Sequence, residues 1–103
     1  MEDMHAIFTR FKSEFPEVYA RHEALGKEIH ENGGPLDDKS RWLIKIAISA
    51  ASNHKRALAT HIKRAREAGV ADEEIKHALL LLISTAGFPV FMKAYAVLDK
   101  MVD

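Results

Sequence analysis

The sequence predicts an all-α fold, a single domain of about six helices spanning residues 1–103. Two observations predict it. Apolar residues recur at three- and four-residue spacing along most of the chain, and no segment alternates apolar and polar residues long enough to make a strand. Proline, glycine and asparagine fall between the periodic segments, where helices end or begin. The length of 103 residues suits one domain.

The first segment carries Ile7, Phe8, Phe11, Phe15, Val18, Tyr19, Leu25 and Ile29. Pro16 costs about 3 kcal/mol inside a helix, so it belongs in a first turn. That divides the segment into a short helix near residues 4–12 and a longer one from about 14 to 31, with Ser13 as the expected N-cap of the second. Asn32-Gly33-Gly34-Pro35 stops it. Asp37 is the expected N-cap of the third helix, with Leu36 as a staple. This helix runs to about Ser52, with Leu43, Ile46, Ala47 and Ala50 as its inward stripe. Asn53 breaks or bends the chain before a fourth helix, His54 to Ala68, and Gly69 sits where a C′ glycine belongs.

The fifth helix opens on Asp72-Glu73-Glu74, acids that suit the positive end of its dipole, with Asp72 expected as cap. It continues Ile75, Ala78, Leu79, Leu80, Leu81, Leu82 and Ile83, apolar nearly all round. A helix of that kind must be covered on most sides, and a small monomer can hardly do so; the expectation is a homo-oligomer. Gly87-Phe88-Pro89 breaks the chain, and Pro89 starts a last helix to about Val102.

Composition removes several function classes. Fifteen basic and 15 acidic residues give zero formal net charge, so there is no global field for nucleic acid or acidic lipid. Lys55, Arg56, Lys63, Arg64 and Arg66 form a basic cluster, but its charges spread around the helix and no aromatics interleave to stack bases. It reads as a solvated face, and no nucleic acid is expected as a partner. The chain has no cysteine, which rules out disulfides, zinc–thiolate sites and thiol chemistry. No apolar run approaches the ~20 residues of a membrane span, and the first residues do not resemble a secretory signal, so the expected address is the cytoplasm.

Six histidines remain as carriers of chemistry. His61 falls on the apolar stripe of Leu58, Ile62 and Ala65. His54 lies seven residues earlier and faces the same way, about 10.5 Å back along the axis. That is too far for the two to share one metal but suits opposite ends of a pocket; no metal and no cofactor are expected. The plainer reading of His61 is a structural ring held by a hydrogen bond. His5, His22, His30 and His77 occupy weaker positions. Trp42, the sole tryptophan, sits early in the third helix, where packing is the ordinary role.

The stretch Leu36-Asp37-Asp38-Lys39-Ser40-Arg41-Trp42-Leu43-Ile44-Lys45-Ile46-Ala47 resembles the helix that opens the carboxymuconolactone decarboxylase and alkylhydroperoxidase D-like family. So does His61-Ile62-Lys63-Arg64-Ala65-Arg66-Glu67-Ala68-Gly69-Val70 with the following Asp72-Glu73-Glu74-Ile75. Gly87-Phe88-Pro89 is similar to that family's glycine–proline break, and Phe15-Pro16-Glu17-Val18 to the N-terminal helix of its short members. The resemblance implies an all-helical subunit built around a helical hairpin and assembled as homotrimers or homohexamers. Redox members carry two cysteines two residues apart, a histidine four residues after the second, and a glutamate on the preceding helix. Here those positions read His54, Ala57, His61 and Trp42. Only the histidine remains, so thiol peroxidase activity is not expected. The decarboxylase branch also lacks the cysteine pair. By that resemblance His61 is the candidate proton donor, and His54 or Arg56 the group that holds a carboxylate. Trp42, Arg56 and Ala57 are the candidate lining of a small-molecule pocket for a lactone or oxo-acid. Lactone decarboxylases place a histidine and acid pattern just before the matching histidine, where this chain reads Lys55-Arg56-Ala57. The alternative is a non-catalytic binding or assembly protein on the same scaffold, with Trp42 filling the old site.

Overall fold

The computed structural model describes residues 3–101, and among them every regular element is an α-helix. The helices are α1 (Met4–Glu14), α2 (Pro16–Asn32), α3 (Asp38–Ala51), α4 (Lys55–Glu67), α5 (Asp72–Thr85) and α6 (Phe88–Lys100). The expectation of an all-α chain of six helices holds. The tail of the last expected helix, Val102, lies outside the described residues. The contacts group the chain into two units, Met1–Pro35 and Leu36–Asp103.

The first unit pairs α1 with α2. Asp3 caps α1 by accepting from the His5 N–H at 3.2 Å. Phe15 alone separates the two helices, and Pro16 takes the tolerated first turn of α2. Ser13 is not the cap that its residue type suggests. It lies in the last turn of α1, and Phe15 stands at the N-cap of α2 without a side-chain bond. Ring contacts bring the two helices together instead: Phe8 meets Tyr19 edge-on at 5.8 Å, and Phe11 meets Tyr19 at 6.5 Å.

The second unit is a four-helix arrangement in which α3 packs against α4, α5 and α6. Asp37 caps α3 as expected, accepting from the Ser40 N–H at 2.8 Å. That backbone donor holds the Asp37 carboxyl below its ordinary pKa. Helix α3 ends at a left-handed Asn53 (φ 57°), where the His54 N–H donates to the Ser49 carbonyl at 2.9 Å and the Asn53 N–H to the Ala50 carbonyl at 3.1 Å. Helix α4 ends the same way at Gly69 (φ 89°), with the Val70 N–H on the Ala65 carbonyl at 2.9 Å and the Gly69 N–H on the Arg66 carbonyl at 3.0 Å. Both are Schellman turns, one built on asparagine and one on glycine.

At α5 the expected cap is displaced by one residue. Ala71 occupies the N-cap, and since it has no side-chain acceptor, Glu74 reaches back to accept from the Ala71 N–H at 2.9 Å. Arg66 then ties α4 to α5 through a two-pronged contact with Asp72, at 2.8 and 3.0 Å, and donates to the Met101 carbonyl at 2.6 Å.

The core of this unit is Ile46, Ala50, Leu58, Ile62, Ala65, Val70, Ile75, Leu79, Leu82, Phe91, Ala94 and Leu98. Of the stripe expected on α3, Ile46 and Ala50 are buried, while Leu43 and Ala47 are half-buried. Helix α5 buries Ile75, Leu79 and Leu82, and leaves Leu80 and Leu81 more than half exposed.

Candidate functional site

The site is assembled from one face of α3 and one of α4. On α3, Trp42, Lys45 and Ser49 follow at i, i+3 and i+7, so their side chains stack along one edge of the helix. On α4, the buried run of Leu58, Ile62 and Ala65 fixes the rotation of the helix and carries His61 toward α3. The Ser49 hydroxyl and His61 Nδ1 lie 2.8 Å apart. The Trp42 and His61 rings pack with centroids 6.0 Å apart, tilted by 47°. The Lys45 ammonium lies 5.0 Å from the centre of the Trp42 ring, within reach of a cation–π attraction. Burial first, and the Arg41 guanidinium second, hold the Lys45 ammonium below its ordinary pKa.

Ser49 is the one buried polar residue among the described residues, at 4% exposure. The histidine is half-buried, as are Trp42 and Lys45. The arrangement therefore offers an imidazole with one nitrogen engaged inside the protein, an indole face beside it, and a cation over that indole. They are a hydrogen-bonding ring, an apolar wall and a positive charge in succession.

The other residues singled out in the sequence fall at varying distances from this group. His54 is exposed and stands at the N-cap of α4 without a side-chain cap bond. It is joined to the site through Ser49, whose carbonyl accepts its N–H and with which it lines a crevice of about 10 Å³. That is at most the room one water needs. Arg56 is exposed on the first turn of α4, where its carbonyl accepts from the Thr60 hydroxyl at 3.2 Å, and Ala57 is half-buried beside it. The structure brings Trp42 and His61 together and leaves Arg56 and Ala57 at the start of α4. Among the described residues no group of three or more histidine and acidic side chains is placed to hold a metal ion.

Sequence reasoning did not single out Ser49 or Lys45. A hydroxyl seven residues after Trp42 and three after Ile46, on the inward side of a helix, was the available signal.

A larger cavity than the crevice beside His54 lies elsewhere. An open groove of about 540 Å³ runs between α3 and α5, walled by Ile44, Ile48, Ala78 and Leu81 with Glu74 and His77 among its few polar groups. It touches neither His61 nor Trp42.

The family model for carboxymuconolactone decarboxylases matches residues 16–100, from the first residue of α2 to the last of α6. The chain belongs to the carboxymuconolactone decarboxylase family. It is 33% identical over 91 residues to an uncharacterised protein of Methanocaldococcus jannaschii, covering 87% of this chain and 86% of that one. A second uncharacterised protein of the same archaeon is 32% identical over 83 residues, covering 81% of this chain and 77% of the relative. Without a cysteine the chain has no thiolate to attack a peroxide. Among the described residues no helix is long and apolar enough to cross a membrane.

Proposed function

We propose that this protein binds a small lactone or oxo-acid at His61 and acts on it by acid–base rather than thiol chemistry. The observation that carries the reading is the run of contacts from Lys45 to Trp42, from Trp42 to His61 and from His61 to Ser49 across α3 and α4. Loss of carbon dioxide from a carboxylated lactone needs three things. The departing carboxylate must be oriented, the electron pair it leaves must delocalise into a neighbouring carbonyl, and a proton must reach carbon. Lys45 supplies positive charge for the oriented anion. His61 supplies the proton. Trp42 supplies a wall for the ring; His54, Arg56 and Ala57, at the start of α4, are the residues the family resemblance assigns to holding the ligand. The crevice beside His54 is too small for a substrate.

The test is release of carbon dioxide from carboxylated lactones and oxo-acids by the intact protein. Wild type is expected to turn over at least one of them, and His61→Gln to lose roughly 10²–10⁴-fold in rate. Equal turnover by His61→Gln overturns the assignment.

A second reading has an observation of its own. The Trp42 ring packs directly on His61, and the α3–α5 face leaves Ile44, Ile48, Leu80 and Leu81 exposed. These favour a non-catalytic binding or assembly protein in which Trp42 fills the old site. Both readings take the chain as a cytoplasmic homo-oligomer, trimer or hexamer, that covers this apolar face. Ligand binding without turnover selects the second.

A further inference from the structure

Helical hydroxyls normally turn back to a carbonyl four residues earlier. Thr9 does so, donating to the His5 carbonyl at 3.0 Å, and Thr60 donates to the Arg56 carbonyl at 3.2 Å. Ser49 does not. Its hydroxyl is buried and reaches across to α4, where it meets His61 Nδ1 at 2.8 Å.

A serine hydroxyl has one hydrogen to donate, and a neutral imidazole has one nitrogen that accepts. If Nδ1 carried the ring proton, it would donate to Ser49 Oγ, and the buried hydroxyl hydrogen would be left without an acceptor. If Nδ1 is bare, the hydroxyl donates to it and both groups are satisfied. Stranding a buried donor is disfavoured by roughly tenfold or more.

We propose that Ser49 is the positioning residue of this site, holding His61 in the neutral tautomer whose proton sits on Nε2. The inference rests on the reading of His61 as the ligand-binding group and deepens it. A ring fixed in this form presents a donor, not a base, to whatever lies at Nε2. It therefore selects ligands that offer an acceptor there, a carboxylate or lactone carbonyl oxygen, over ligands that offer a hydroxyl hydrogen.

The experiment reads the two ring nitrogens of His61 by ¹⁵N NMR in the ligand-free, full-length protein, at a pH where the ring is neutral, with His61→Gln to assign the signals. Wild type is expected to show a bare Nδ1 and a protonated Nε2. Ser49→Ala is expected to let the Nδ1–H form appear, a change in tautomer ratio of roughly fivefold or more. Ser49→Thr, which keeps the hydroxyl, is expected to restore the wild-type pattern. Alanine favours the helix, so loss of folding is not the expected result of the first variant. A wild-type ring protonated on Nδ1, or a ratio that Ser49→Ala leaves unmoved, overturns the proposal. The tautomer is read without ligand, so failure of wild type to bind any oxo-acid would sink the functional reading while leaving the role of Ser49 to stand or fall on its own signal.

Discussion

Two adjacent leucines on α5 give the sharpest test of the packing. Leu79 is fully buried at 0% exposure, and Leu80, one residue on, is 51% exposed. Truncation to alanine removes three carbons from either side chain. For Leu79 all three leave the core, a transfer loss of about 2.4 kcal/mol at about 0.8 kcal/mol per carbon. The cavity left behind brings the total to about 3–4 kcal/mol. In a domain of this size that lowers Tm by roughly 10–25 °C. For Leu80 about half of the removed surface already faces water, and no enclosed cavity forms, so the cost in an isolated chain is about 1 kcal/mol. The assay is urea or thermal unfolding of both variants over a wide range of protein concentration. Leu79→Ala is expected to be strongly destabilised at every concentration. Leu80→Ala is expected to be mild when dilute and worse when concentrated if, as proposed, a partner copy covers Leu80 and stabilises wild type by mass action. A Leu79→Ala cost below about 1 kcal/mol would show that the rotation of α5 is wrong. A Leu80→Ala cost that ignores concentration would contradict the covered face.

Other outcomes follow from single contacts. Gly69→Ala meets no atom within 4 Å but must adopt φ 89°, so it should lose about 1–2 kcal/mol from backbone strain alone, read by equilibrium unfolding. Gly87→Ala, at φ 106° and ψ 151°, enters a region almost confined to glycine and should cost about 1–3 kcal/mol. The Arg66 contact holds the Asp72 carboxyl below its ordinary value of 3.8. A depressed carboxylate stabilises the fold above that value and stops doing so as pH falls through the folded pKa, so Arg66→Met should blunt the acid limb of a stability–pH profile below about pH 4. Lys45→Met keeps a stem over Trp42 but removes the charge, and should weaken oxo-acid binding by roughly tenfold, measured by calorimetry, with little change in stability.

Most of the helical layout was legible because its boundaries are written in residues with special backbone demands. Pro16 and Pro89 each sit in a first turn, Asp37 caps α3, and Asn53 and Gly69 take the left-handed positions that end α3 and α4. The misplaced boundaries are those where a polar side chain stood near a helix start without being used. Ser13 falls inside α1, and Asp72 falls one residue into α5 because Glu74 satisfies the end from within. The excess of apolar residues on α5 was visible, and the structure divides it into a buried edge through Leu79 and an exposed edge through Leu80 and Leu81.

The site was legible only in part. His61 stood out because it interrupts an apolar stripe, and its neighbour Trp42 came from the family pattern, since spacing along α3 says nothing about α4. Ser49 escaped notice because a serine among alanines and isoleucines reads as a neutral small residue. Its meaning depends on which helix its hydroxyl faces, and that is a property of packing. Lys45 reads as an ordinary surface cation until Trp42 and burial are seen beside it.

The most direct test of the central claim is a titration of wild type with small oxo-acids and lactones, following the His61 ring signals by NMR and the fluorescence of Trp42, the sole tryptophan. The account predicts that at least one compound moves both reporters together, with one dissociation constant, and that His61→Gln weakens its binding. Reporters that stay still for every compound, while the protein remains folded, would show that no ligand site exists at His61.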